Sequence, residues 1–260
     1  KYNINLINSI TVNNINAYSD LNEKGNITFP LLTNNNEAQF SFNISLLRDY
    51  FYMIGLEPNF RVMEEVDNQI LYVKVLEEIF NKYYELLVEY NKVMNLTGIT
   101  EYEEVLEKHF YDSLTMANKV NLNNSTLVDI GAGAGFPCIP LKIAFPSLDV
   151  TVVDSLAKRM KFLEIVIKEL NLENIRCLAM RGEDFAKLHR EEFDFVTARA
   201  VARLNILNEI TLPLVKVGGY FIALKGQDGL IEIDECKDAF NKLGARIDMI
   251  DEFNLPSENA

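Results

Sequence analysis

The chain has 260 residues, 48% of them hydrophobic, enough to fill one large domain or a domain with an appendage. Its formal net charge of −13 argues against the broad basic surface that grips any nucleic acid, so any nucleic-acid recognition would have to be local. No apolar run approaches a membrane span, no basic-then-apolar leader opens the chain, and Cys138, Cys177 and Cys236 lie too far apart for a disulfide or zinc framework. The expectation is a cytoplasmic protein with no membrane contact and no bound metal, its cysteines packed as small hydrophobes.

In chain order, residues 1–43 are rich in asparagine, with Asn34-Asn35-Asn36 as the plainest cluster and short β-like pieces such as Ile27-Thr28-Phe29. They carry no sustained period and no assigned role. The sequons at Asn26 and Asn43 are read as chance matches. From about Asn68 to Val93 the residues Leu76, Ile79, Phe80, Tyr83, Leu86, Leu87 and Tyr90 recur at helical spacing and predict a long amphipathic helix. A second helix is expected from Thr100, where Thr100-Glu101-Tyr102-Glu103 has the capping-box pattern, toward His109.

Beyond Thr126 the pattern changes to strand and helix in turn, with strands expected near 126–130, 150–153, 175–180, 193–198, 219–225 and 246–252. Leu156, Met160, Leu163, Ile167 and Leu170 form the clearest helical stripe, and Ser155 is placed to cap it. This order predicts an α/β fold with a mostly parallel twisted sheet and helices on both faces. Ligands of such sheets sit beyond the carboxyl ends of the strands.

The run Asp129-Ile130-Gly131-Ala132-Gly133-Ala134-Gly135-Phe136-Pro137 follows the first of these strands, and about twenty residues on the second ends in Asp154. A glycine turn admits a ligand against bare backbone, and an acid ending the next strand can hold ribose hydroxyls. The G-x-G-x-G spacing, with two prolines stiffening its exit, suits adenosylmethionine better than a dinucleotide whose pyrophosphate needs a helix start. Positive charge collects nearby: Lys158, Arg159 and Lys161 follow Asp154, while Arg199, Arg203 and Lys225 fall at or after later strand ends. Lys161 reads as a solvated surface lysine.

From about Tyr83 onward the chain resembles the bacterial small-subunit ribosomal RNA methyltransferase G family, also called glucose-inhibited division protein B. The recurring pieces stand in order: Asn95-Leu96-Thr97, His109 with Asp112-Ser113, the glycine run, Asp154-Ser155-Leu156 with Lys158-Arg159, Arg181-Gly182-Glu183, Ala198-Arg199-Ala200 and Ala223-Leu224-Lys225-Gly226. The resemblance implies a Rossmann-like class I methyltransferase that uses S-adenosylmethionine to methylate guanine N7 in 16S ribosomal RNA, with the ribosomal RNA or particle as partner. It implies that Gly131, Gly133, Gly135 and Phe136 line the cofactor pocket, Asp154 takes the ribose, Gly182 and Glu183 flank the adenine, and Arg199 positions the reactants. Asn95, His109, Asp112, Ser113, Lys158, Arg159, Arg203 and Lys225 would support the site or the RNA. Guanine N7 carries a free lone pair, so no dedicated base or nucleophile is expected.

Two departures qualify this. Family members continue past Ser257-Glu258-Asn259-Ala260 into one more strand, so the domain at 121–260, entered through helices at 83–120, reads as truncated, with weak stability expected. Residues 44–82 resemble a piece of the bacterial ATP-dependent helicase/nuclease AddA, without a Walker-type motif, so residues 1–43 and 44–82 would be passenger sequence. Two other outcomes stay open: a methyltransferase acting on a protein or small molecule, and a composite product that keeps the cofactor fold without function. Oligomeric state is not legible.

Overall fold

The computed structural model describes Asp20–Leu21, Asn26–Thr33, Asn36–Asn43 and residues 65–255. The chain divides into two compact units, Lys1–Glu78 and Ile79–Ala260. The junction expected near residue 43 and the terminal Ser257–Ala260 lie outside the described residues or at their border.

The first unit holds a small antiparallel sheet, β1 (Asp20–Leu21), β2 (Asn26–Thr33) and β3 (Asn36–Asn43). The register sets Ile27 opposite Phe42 and Phe29 opposite Phe40. The alternation Ile27-x-Phe29-x-Leu31 against Ala38-x-Phe40-x-Phe42 is thus a strand period that the surrounding asparagines obscure.

The long helix is present as α1 (Glu65–Met94), within a few residues of expectation. From Ile79 on it buries Tyr83 and Leu87 completely. Phe80 and Tyr83 pack on Phe110, and Tyr90 on Phe162, with ring centroids 4.9, 5.1 and 5.7 Å apart. The next helical region starts as α2 (Tyr102–Val105), widens to a π-helical stretch (Leu106–Tyr111), and ends in α3 (Asp112–Leu114) and a 3-10 turn (Thr115–Asn118). The capping box does not form. Glu101 is the N-cap and makes no side-chain cap bond, while the carbonyl of Thr100 accepts the Tyr84 hydroxyl at 2.9 Å.

The second unit is built on β4 (Thr126–Ile130), α4 (Cys138–Ala144), β5 (Asp149–Asp154), α5 (Ala157–Glu169), β6 (Ile175–Ala179), α6 (Gly182–Leu188), β7 (Phe193–Arg199), α7 (Leu204–Thr211), β8 (Val215–Leu224) and α8 (Gly229–Lys242). The five strands are all parallel, in the order β6-β5-β4-β7-β8. Nearly every residue of β4, β5 and β7 is buried, as a sheet covered on both faces requires. Val128, Ile130, Val153, Phe185, Val196, Ile210 and Leu214 form one core cluster, each side chain stabilising the fold by roughly 1.5–3 kcal/mol. The strand order reverses between β4 and β7, so their carboxyl ends mark the ligand crevice.

Two local expectations fail. Residues 246–252 form no strand: among the described residues no strand forms a ladder with them, and Ile247, Met249 and Ile250 stand exposed. Alternation creates a strand only where a ladder partner exists, and β8 is the edge of the described sheet. Ser155 does not cap α5. Leu156 is the N-cap and no side chain caps the helix; Asp154 Oδ1 instead accepts the Leu156 amide at 2.8 Å and shapes the turn just before it.

Candidate active site

The turn after β4 uses its glycines for different reasons. Gly131, Gly133 and Gly135 have φ of 73°, 61° and 102°, in the left-handed region. At Gly135 a Cβ would lie 2.6 Å from Ile139, 2.8 Å from Leu163 and 2.8 Å from the Tyr83 hydroxyl, so the backbone there is pressed against the protein. At Gly133 a Cβ would meet nothing within 4 Å, so the turn presents bare backbone to open space. Asp154, only 4% exposed, closes that space: its Oδ2 accepts the Gly133 amide at 3.1 Å and pairs with Arg159 at 3.1 Å. The Gly131 amide donates to the Val153 carbonyl at 2.7 Å, which ties turn and strand end together. A cradle of bare backbone beside a carboxylate fits the ribose and backbone contacts of an adenosine cofactor.

Phe136 is 5% exposed, stacked on His109 at 4.4 Å, with Tyr83 at 5.6 Å and Arg199 at 5.1 Å from its ring, and so braces the turn. Tyr83, which the sequence presents only as part of a helical stripe, donates its hydroxyl to the Ala134 carbonyl at 2.6 Å. Burial pushes its phenol well above the usual range, so it stays a donor. Gly182 is likewise a packing glycine, since a Cβ would come within 2.9 Å of Ile130 and 3.0 Å of Ile210. Glu183 is exposed in the first turn of α6.

A second cluster surrounds Arg199 at the end of β7. Its Nη1 pairs with Asp112 at 2.7 Å and donates to the Lys108 carbonyl at 3.2 Å. His109 lies 3.3 Å from Nη2. Nδ1 faces both this donor and the Lys108 carbonyl at 3.1 Å, and Nε2 faces the Thr97 hydroxyl at 2.8 Å, so either neutral tautomer is satisfied: Nδ1 accepts from Arg199 while Nε2–H donates to Thr97, or Nδ1–H donates to Lys108 while Nε2 accepts from Thr97. Burial, reinforced by the Arg199 charge, lowers His109 to about 4, so the ring is neutral near pH 7. Ser113 is buried and donates to the His109 carbonyl. Asn91, which carries no sequence signal, fixes this corner by accepting the Leu96 and Thr97 amides at 2.6 and 3.0 Å. Asn95 follows with φ of 52°.

Beneath the turn, Asp129 is fully buried and its Oδ1 accepts the Thr197 hydroxyl at 3.0 Å. Burial pushes its carboxyl up to about 7 against the pull of Cys138, Thr197 and Arg199. Burial also pushes the Cys138 thiol well above its ordinary range, which makes it inert rather than nucleophilic. Cys236 is buried too, while Cys177 is only partly so.

The expected RNA-facing cations are largely engaged within the protein. Lys158 donates to the Met94 carbonyl at 2.8 Å, Arg159 holds Asp154, Arg203 pairs with Glu235 at 2.6 Å, and Lys225 pairs with Glu232 at 2.7 Å.

A parallel sheet whose reversal point carries a glycine turn and an acid at the next strand end defines a Rossmann-like class I methyltransferase that uses S-adenosylmethionine. The model of the family rRNA small subunit methyltransferase G (GidB) matches residues 76–259, and the chain belongs to that family. The ribosomal RNA small subunit methyltransferase G of Staphylococcus carnosus is 49% identical over 183 residues, covering 69% of this chain and 76% of that one. Its counterpart in Brevibacillus brevis is 51% identical over 185 residues, 70% and 78% of the two chains. That of Lactobacillus helveticus is 47% identical over 206 residues, 77% and 86%. Among solved structures, a SAM dependent methyltransferase from Aquifex aeolicus has 18% identity and a TM-score of 0.45, covering 58% of this chain and 87% of that one.

The resemblance of residues 44–82 to a helicase/nuclease is not borne out. The methyltransferase match begins inside that stretch, at residue 76, and α1 runs unbroken through residue 82.

Proposed function

We propose that the chain transfers a methyl group from S-adenosylmethionine to N7 of a guanine in 16S ribosomal RNA, free or within the small-subunit particle. The family match over residues 76–259 carries this reading. The methyltransferase part then takes in the end of the 44–82 stretch, the helices at 83–120 and the sheet domain beyond. Gly131 and Gly133 would hold the cofactor along the turn, Asp154 its ribose, and Arg181-Gly182-Glu183 the edge near its adenine.

When bound, S-adenosylmethionine supplies a methyl group on a positively charged sulfur, already activated toward a lone pair. The protein's share is alignment. Holding two reactants in line contributes about 7–11 kcal/mol of the barrier, and guanine N7 needs no proton removed first. The residues around the crevice agree with that division of labour. His109 is neutral with both ring nitrogens engaged, Asp129 is sealed beneath the turn, and Cys138 is inert. Arg199 is a fixed cation, braced by Asp112 and the Lys108 carbonyl, and its role is positioning. Asn95, His109, Asp112 and Ser113 act through it by keeping this corner rigid.

Action on a protein or small molecule is the second reading, favoured by the internal pairing of Arg203 and Lys225 and by the net charge of −13. Mass spectrometry of nucleosides from the 16S ribosomal RNA of a strain lacking its own enzyme separates the two. Restored 7-methylguanosine on expression of this chain is the expected result. Cofactor binding without restored 7-methylguanosine would move the assignment to the second reading.

A further inference from the structure

Lys225 ends the sheet's edge region immediately after β8, where a lysine beside a nucleic-acid site invites assignment to a phosphate. Its surroundings say otherwise. Nζ donates to the Ala202 carbonyl at 3.0 Å and pairs with Glu232 Oε2 at 2.7 Å. The same Oε2 accepts the Leu204 amide at 2.7 Å. The two side chains are only 19% and 11% exposed, and the Lys225 ammonium beside it holds the Glu232 carboxyl below the usual carboxylate range. This differs from the neighbouring Arg203–Glu235 pair, in which both side chains are more than half exposed.

What the buried pair grips is the loop after β7. Arg199 anchors its start through Asp112 and the Lys108 carbonyl. Lys225 and Glu232 anchor its end at Ala202 and Leu204. Between the anchors Ala200 has φ of 54°, a left-handed conformation that an alanine keeps only under restraint. At the crest stands Val201: a Cβ built on Gly131 would come within 2.5 Å of its Cγ2, so the valine touches the first glycine of the turn.

We propose that Lys225 and Glu232 are positioning residues that clamp the 200–204 loop, so that Val201 forms one wall of the cofactor turn at Gly131. Lys225 acts through the loop and touches no RNA phosphate. Because Arg199 opens the same loop, slack at Ala202 disturbs both the cofactor wall and the residue that aligns the reactants. The proposal rests on reading the glycine turn as the S-adenosylmethionine site.

The test uses the full chain in five forms besides the wild type: Lys225→Met, Glu232→Gln, the double variant, Val201→Ala, and Asp234→Asn on α8 as an exposed control that should bind the cofactor as the wild type does. Calorimetry gives the affinity for S-adenosylhomocysteine, and binding of small-subunit ribosomal RNA is followed over a salt series. The clamp predicts that each single variant weakens cofactor binding by about ten-fold, the size of one lost charge-assisted contact. The double variant should be no worse than either single one. The salt slope of RNA binding should not change. Val201→Ala, which trims the wall and leaves the clamp intact, should weaken the cofactor in the same direction.

A phosphate-binding lysine predicts the reverse. Lys225→Met would lower the salt slope by about one with cofactor affinity intact, and Glu232→Gln would tighten RNA binding by freeing the lysine. Either result, or an unaltered cofactor affinity in Val201→Ala, overturns the clamp. A wild-type chain that fails to bind S-adenosylhomocysteine would instead overturn the cofactor site itself, on which the clamp depends.

Discussion

Asp154 carries several duties with one carboxylate, since it accepts the Gly133 and Leu156 amides and pairs with Arg159. Asp154→Ala should weaken cofactor binding in calorimetry by about ten- to a hundred-fold, the range for hydrogen bonds to a charged group. An unchanged affinity would remove the turn from the cofactor site. Arg199 makes a different claim. Lysine cannot reach both Asp112 and the Lys108 carbonyl with the geometry of a guanidinium, so Arg199→Lys should lower kcat by about a hundred-fold, as a small misplacement does. Its effect on cofactor affinity should be much smaller. Both residues are visible in the sequence as polar groups at strand ends. The sequence also marks Asp112 and Arg159 as candidates, but not which residue each would pair with, nor the Lys108 carbonyl, because these meet Arg199 and Asp154 through packing that no local pattern records.

At the scale of elements, the turn and α1 depend on each other. Tyr83 donates to Ala134, stacks near Phe136, and leaves no room for a side chain at Gly135. Gly135→Ala combines a left-handed backbone with contacts of 2.6 and 2.8 Å, and should destabilise the fold by about 2 kcal/mol or more in denaturant unfolding. Gly133→Ala meets no neighbour within 4 Å, so its cost should be confined to backbone strain of about 1 kcal/mol and to lost cofactor binding. The sequence shows three glycines alike; only the surroundings divide them into one that packs, one that faces space and one beneath Val201. The same limit explains the other local failures. Residues 246–252 alternate as a strand would but lack a ladder partner among the described residues, and the Thr100 box is bypassed because the helix starts one residue later, with Glu101 as its N-cap. The strands of the sheet are legible because their continuous apolar runs, divided by helical stripes, admit few arrangements.

At the scale of the molecule, two buried groups make stability depend on pH in opposite senses. Asp129 has its pKa raised from 3.8 to about 7, so its stabilisation is fully present below its unfolded value and is lost as pH rises through 7. His109 has its pKa lowered from 6.5 to about 4, so its stabilisation is present above 6.5 and is lost as pH falls through 4. Between pH 4 and 6.5 the two trends oppose each other. Relative to the wild type, Asp129→Asn should make stability climb more steeply with pH in that window, and His109→Gln should make it fall. Denaturant midpoints across a pH series would check both signs. Among the described residues no helix is long and apolar enough to cross a membrane.

Methyl transfer to a guanine N7, by a site that aligns reactants without a base, is open to direct measurement. The purified chain is incubated with methyl-labelled S-adenosylmethionine and small-subunit particles from a strain lacking the enzyme, and the label is then located in the 16S ribosomal RNA. The expected result is label at a single guanine, recovered as 7-methylguanosine, and none after Arg199→Ala. Label on any other atom or base, or full transfer by Arg199→Ala, would contradict it.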